Sequence, residues 1–254
     1  MGKRGQVTIF IIVAVLIIAG VALFFAFRHN LSEKEETVTK DYAPLYNYLQ
    51  ECLEQSLIEV IYINSMQGGY YDVQQDFVEF DSSSEMEGSS IPYYLIDDKI
   101  QILSKEELEN QISVGLVSKF TSCLNFDEFE YNISYDQEEI FASSFITENK
   151  IRAKLYSSVY INEMENTLRL KNFTAEVETN YLEYYNFAKY LTEKQRLSGE
   201  ELCISCLVKE CEAKNYNLYL YPAVSDNSYI LINTLNSKED DLFFSFAYKL
   251  NYGT

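Results

Sequence analysis

The sequence predicts an α+β protein carried on an N-terminal transmembrane helix. Three observations lead there. An unbroken apolar run extends from Val7 to Phe27, with only Thr8 polar. Later stretches repeat apolar residues at three- and four-residue spacing, the period of a helix with one buried face. Between and after them lie alternating apolar runs bounded by turn residues, which read as strands, with no regular βαβ rhythm. The expected order is the anchor, an extracytoplasmic helical pair, antiparallel strands, two further helices and C-terminal antiparallel strands. The expected domains are an anchor at 1–28, a juxtamembrane stalk at 29–40, a helical subdomain at 41–125 and an α+β subdomain at 126–254.

The anchor is justified by length and by what it lacks. About 21 residues at about 1.5 Å rise each cross a hydrocarbon core of about 30 Å, and the run has no polar face of the kind a soluble core helix carries. A cleaved secretory signal is the alternative. Gly20-Val21-Ala22 would supply the small-residue cleavage site, but Leu23-Phe24-Phe25 continues the apolar run beyond it. Lys3 and Arg4 precede the run, whereas Arg28 is followed by Glu33, Glu35 and Glu36. The positive-inside rule therefore places the N-terminus in the cytoplasm and the remainder outside.

Lys3-Arg4-Gly5-Gln6, set directly before the apolar run, resembles the class III signal peptide of archaeal type IV pilin-like proteins. The resemblance implies cutting by a prepilin peptidase between Gly5 and Gln6, with the apolar helix kept on the mature chain and available for packing into a filament. Many pilins carry a Glu five residues into the mature chain, where it aids subunit docking; here that position is Phe10, a departure that bears on filament assembly more than on anchoring. An uncleaved anchor is the alternative.

Formal net charge is −19. Such a surface repels nucleic acid and anionic headgroups, so nucleic-acid binding is not expected. The single histidine, His29, lies beside the anchor, which excludes a Ser-His-Asp triad in the ectodomain and any multi-histidine metal site. No catalytic residues, cofactor or metal are expected. The 22 Tyr and 16 Phe, with no Trp, are expected to fill core and boundary positions, with a partner- or sugar-binding surface the alternative.

Beyond the polar stalk 30–40, Asp41 is a helix cap and Pro44 a first-turn residue. Leu45, Leu49, Cys52, Leu53, Leu57, Val60 and Ile61 make one helical face, with Glu51, Glu54, Gln55 and Glu59 opposite; Gln67-Gly68-Gly69 ends that helix. The stretch from Asp81 to Ser90 is a loop, and Ile91-Pro92-Tyr93-Tyr94 is extended. Ser104-Lys105-Glu106-Glu107 is a capping box opening a helix with Leu108, Ile112, Leu116, Phe120 and Cys123 or Leu124 on one face. Strands are expected over 126–135, 140–147, 151–161 and 167–170, with Glu148-Asn149-Lys150 a hairpin turn. From Phe173 the spacing Phe173, Val177, Tyr181, Tyr184, Ala188, Leu191 predicts a helix, and Ser198-Gly199-Glu200-Glu201 a second capping box opening a helix to about Glu210. Tyr216 to Tyr221, Tyr229 to Thr234 and Phe243 to Leu250 are the closing strands. The succession Cys52-Leu53, Gln67-Gly68-Gly69-Tyr70, Ile91-Pro92, Cys123-Leu124 and Phe246-Ala247 is similar to that of archaeal surface proteins sharing the pilin-like anchor, a group that implies no known activity.

Five cysteines are the remaining chemistry: Cys52, Cys123, Cys203, Cys206 and Cys211. Outside the cytoplasm disulfides persist. Cys52 and Cys123 fall on the apolar faces of the first two helices, so a bridge between them would staple the pair; two reduced buried thiols are the alternative. Cys203-Ile204-Ser205-Cys206 at a helix start admits a redox dithiol, a zinc site or a structural disulfide leaving one thiol over, Cys211 included. A zinc site lacks a nearby histidine, and no thioredoxin-like βαβ surrounds the motif. Asn132-Ile133-Ser134 and Asn172-Phe173-Thr174 are glycosylation sequons, as is Asn30-Leu31-Ser32 beside the membrane.

The expected function is a non-enzymatic, membrane-anchored surface protein of structural or adhesive role, alone or within a filament of like subunits. The alternatives are an uncleaved, single-pass binding module for a sugar, peptide or cation, and a membrane-tethered thiol oxidoreductase using Cys203 and Cys206.

Overall fold

Residues 42–74, 76–79, 90–163, 166–199, 202–225, 228–237 and 242–251 are described by the computed structural model. The expected anchor, stalk, Gly5-Gln6 and Asp41 lie outside them. The described residues form an α+β fold with four helices and mixed sheets, and Pro44–Thr254 is one compact unit.

Helix α1 runs Ala43–Met66 with Pro44 in its first turn. All seven apolar residues expected on its inner face are buried, and Glu51, Glu54, Gln55 and Glu59 are exposed. The helix ends at Gly68 and Gly69, both at positive φ (56° and 92°). Their amides return to the last turn, Gly69 N–H to Asn64 O at 2.8 Å and Gly68 N–H to Ser65 O at 3.2 Å. Glycine reaches this left-handed region without the Cβ penalty. Helix α2, Lys105–Cys123, opens with the expected capping box: Ser104 Oγ accepts from Glu107 N–H, and the Glu107 carboxylate accepts from Ser104 N–H at 2.6 Å. The two helices approach at Gly115, where a Cβ would come within 2.5 Å of Tyr71 Cδ2 and 2.9 Å of Val60 Cγ1.

The hydrogen bonds from Ser104 hold the Glu107 carboxyl below the usual carboxylate range. A depressed folded-state pKa makes the box fully stabilising above the unfolded carboxylate pKa, and that contribution is lost as pH falls through the folded value. Ser104→Ala should cost about 1 kcal/mol at neutral pH. Acid titration of both proteins checks the coupling: the difference between wild type and variant should shrink as pH drops through this window.

Between α1 and α2 lie β1 (Phe77–Glu79), β2 (Ser90–Ile96) and β3 (Lys99–Ile100). After α2 come β4 (Ile133–Tyr135), β5 (Phe141–Ile146), β6 (Lys150–Tyr156), β7 (Val159–Glu163), β8 (Asn166–Leu170) and β9 (Phe173–Glu178). Helices α3 (Tyr181–Leu197) and α4 (Ile204–Ala213) follow, then β10 (Tyr216–Ser225), β11 (Ser228–Ser237) and β12 (Phe243–Asn251). A six-stranded sheet has the order β1-β2-β12-β11-β10 with β3 on β2; two three-stranded sheets have the orders β4-β7-β8 and β5-β6-β9.

Five expectations are corrected, the first being the single strand over 151–161, which is two strands, β6 and β7, in different sheets. The strands are not all antiparallel, because β2 pairs parallel with β12. The partners come from opposite ends of the chain, so no hairpin dictates their direction. The expected helix from Phe173 starts at Tyr181 instead. Phe173 and Ala175 are buried while Thr174 and Glu176 are exposed, a period of two that outweighs the four-residue spacing of Phe173 and Val177. Ser198 closes α3 rather than opening the next helix, whose cap is Cys203. Within 126–135, only Ile133–Tyr135 is strand.

Helix α3 packs its aromatic face on the six-stranded sheet. Tyr181 meets Phe244 edge-on at 5.8 Å, and Tyr184 Oη accepts from Ser237 N–H at 2.8 Å. Tyr181 Oη donates to Asn64 Oδ1, while Asn64 Nδ2 donates to Gly69 O at 2.8 Å. One buried amide thus joins α1, the glycine turn and α3. Tyr181→Phe leaves the Asn64 oxygen without this donor and should cost about 1–3 kcal/mol in denaturant unfolding.

Candidate interaction face and cysteine pairs

Strands β5, β6 and β9 alternate cleanly. Their inner residues Ile146, Ile151, Ala153, Leu155, Phe173 and Ala175 are buried. Their outer residues include the three cations of β6, Lys150, Arg152 and Lys154. Register places Phe145 opposite Arg152 and Phe141 opposite Tyr156 on one side. On the other it places Glu176 opposite Arg152, Glu178 opposite Lys150 and Thr174 opposite Lys154. Phe141 and Phe145 are 58% and 57% exposed, more than any other Phe among the described residues. An open sheet face bearing two such rings differs from the scattered apolar residues of an ordinary surface.

The face is ordered by its charges and rings. Glu176 accepts from both Lys150 Nζ and Arg152 Nε, each at 2.5 Å, and these two bonds hold its carboxyl below the usual range. Phe141 stacks on Tyr156 at 4.6 Å and 14°, and Lys154 Nζ lies 4.6 Å from the Tyr156 ring centroid. Phe145, Arg152, Lys154, Thr174 and Glu176 line a groove of about 370 Å³. It combines an aromatic wall with cationic donors and one carboxylate, a set suited to a sugar ring or an extended peptide rather than to a metal cation.

The β5 edge is closed by α2: Ser144 N–H donates to Ser113 Oγ and Ile146 N–H to Glu109 Oε1, both at 2.9 Å. Side chains therefore occupy amides on this edge that would otherwise recruit another strand. None of these outer residues reads from sequence as part of an interaction face; Lys150 reads only as the end of a hairpin turn. The signal was there, since Lys150, Arg152 and Lys154 recur at every second position of a strand-like run in an acidic chain.

The cysteines divide into two pairs and one thiol. Cys52 on α1 and Cys123 at the end of α2 stand at disulfide distance, Cα–Cα 6.0 Å. Cys52 is buried and Cys123 exposed. Cys203 and Cys206 are also at disulfide distance, Cα–Cα 5.4 Å, at the start of α4, and both are half-buried. Cys211 is a free, buried thiol; burial, then the Glu210 carboxylate, pushes it up to about 12. The pairs differ in what they do for the fold. In the chain-entropy model a bridge across a 71-residue separation contributes about 4 kcal/mol, and one across a separation of 3 about 2 kcal/mol.

The sequon residue Asn132 is exposed directly before β4, while Asn172 is half-buried at φ 63° between β8 and β9. Among the described residues, no helix is long and apolar enough to cross a membrane, and no group of three or more His, Cys, Asp or Glu could hold a metal ion. Comparison with family models, curated proteins and solved structures finds no match.

Proposed function

We propose that the chain is a single-pass membrane protein, its N-terminus cytoplasmic and its α+β domain outside the cell, with a non-enzymatic structural or adhesive role at the surface. The observation that carries this reading is the apolar run Val7 to Phe27 behind Lys3 and Arg4. The acidic composition suits a soluble exterior, and two cysteine pairs at disulfide distance suit an oxidising compartment. Where a prepilin peptidase cuts between Gly5 and Gln6, the apolar helix is also available to pack against like subunits in a filament. Alkaline carbonate washing of membranes, followed by protease treatment of intact cells, tests the topology. Retention in washed membranes with digestion from outside is expected; release by carbonate, or protection from external protease, would contradict it.

The groove on the β5-β6-β9 face favours a second reading, in which the anchored domain is a binding module for a sugar or peptide. Phe145→Ala should leave stability within about 0.5 kcal/mol, because the ring is largely exposed. The same change should weaken retention of the protein on a glycan or peptide array that captures the wild type. Unchanged retention would remove the face from the account.

A further inference from the structure

We propose that Cys203 and Cys206 form an exchangeable disulfide that accepts two electrons from a polypeptide dithiol on the same side of the membrane. Four observations converge on it. The pair is at disulfide distance, and neither residue is sealed in the core, both being half-buried. It spans only the first turn of α4, whose backbone bond from Leu207 N–H to Cys203 O, 3.1 Å, does not depend on the sulfur link. Cys203 is the helix cap yet makes no side-chain cap hydrogen bond. Finally, Ile204 and Val208, one turn apart on α4 beside the pair, are 42% and 36% exposed, apolar side chains able to contact an unfolded or extended chain.

The chemistry balances without any further reagent. A thiolate of the donor attacks Cys206 Sγ, forming a mixed disulfide and releasing Cys203 as a thiolate. That thiolate sits at the cap position, where the N–H groups of the first turn and the helix dipole stabilise negative charge. The donor's second thiol then attacks its own sulfur in the mixed disulfide and releases Cys206. The donor leaves as a disulfide, and its two protons end on Cys203 and Cys206. The Cys52–Cys123 pair resists the same attack. Approach is open only at Cys123, and the thiolate released would be Cys52, which is 3% exposed in apolar surroundings. Cys211 is 1% exposed and does not compete.

The test uses the full-length protein in detergent micelles. It is exposed to reduced dithiothreitol, or to a reduced thioredoxin-type protein, then acid-quenched, alkylated and mapped by peptide mass. Cys203 and Cys206 should become alkylated together, at least tenfold faster than Cys52 and Cys123, with near-UV circular dichroism retained. A reduced thioredoxin-type protein whose second cysteine is replaced by serine should be trapped as a mixed disulfide on Cys206 of the unaltered chain. Ile204→Glu should slow the protein reductant severalfold while leaving dithiothreitol unaffected. Reduction of both pairs at the same rate, or reduction only with loss of the near-UV signal, would make the bridge structural and overturn the proposal. Equal slowing of both reductants by Ile204→Glu would overturn the polypeptide as donor.

Discussion

Replacing Cys52 and Cys123 together by alanine should lower the free energy of unfolding by about 4 kcal/mol and the midpoint by roughly 8–16 °C. The bridge ties α1 to α2 across a 71-residue separation that contains β1, β2, β3 and most of α2. Freed of it, the unfolded chain regains the entropy of that loop. The folded chain keeps other connections between the helices, among them the close approach at Gly115, the Tyr48 Oη hydrogen bond to Cys123 O at 2.8 Å and the Lys119–Glu59 ion pair. The pair is exposed at least in part and so contributes little by itself. Thermal unfolding of wild type and double variant, both oxidised, checks the value. A loss under 1 kcal/mol would mean that the bridge constrains neither state. Cys203→Ser with Cys206→Ser should cost about 2 kcal/mol at most, because its loop is short.

Gly68→Ala should destabilise by roughly 2–5 kcal/mol, combining the left-handed backbone penalty with overpacking. At φ 56° an alanine Cβ would stand 2.7 Å from the backbone oxygen of Ser245 and 2.9 Å from Pro92 Cγ. Ser245 lies inside β12 and Pro92 inside β2, so relief requires a shift of paired strands rather than of a flexible side chain. The neighbouring Tyr94 Oη also donates to Gly68 O at 2.8 Å, fixing the turn from the other side. Gly199 supplies the control. It has φ 70° but nothing within 4 Å of an added Cβ, so Gly199→Ala should cost only about 1 kcal/mol of backbone strain. Denaturant unfolding of the two variants separates conformation from packing. Equal costs would show that the close approach at Gly68 is relieved freely.

Much of this architecture is legible locally, and what is not is non-local. Leu45 through Ile61 and Leu108 through Phe120 state their helical faces because each buries a single stripe, and the Ser104 box announces its own start. The parallel pairing of β2 with β12 leaves no mark in either strand, since both are buried on two faces and neither is joined to the other by a turn. Phe173–Glu178 misleads for a related reason. Phe173 and Val177 satisfy the helical spacing, and only the small apolar Ala175 between them reveals the strand. At the cysteines, helical periodicity places both Cys52 and Cys123 on inner faces; the two stand at disulfide distance, but Cys123, the last residue of α2, is exposed. The β5-β6-β9 face escaped because an exposed Phe reads like a core Phe until register sets Phe145 beside Arg152 and Glu176. A lysine–arginine–lysine alternation within a chain of net charge −19 is the sequence feature that marks such a face.

The most direct test of a membrane-anchored, extracytoplasmic protein is alkylation mass mapping of the chain recovered from washed native membranes. Cells are quenched in acid, membranes are washed, and the chain is alkylated under denaturing, non-reducing conditions before peptide and N-terminal analysis. The account predicts recovery in the membranes with Cys211 alkylated and Cys52 and Cys123 unmodified. A first residue of Gln6 would direct the search to filaments, and one of Met1 or Gly2 to the ligand of an uncleaved module. Recovery in the soluble fraction with all five cysteines alkylated would contradict the central claim.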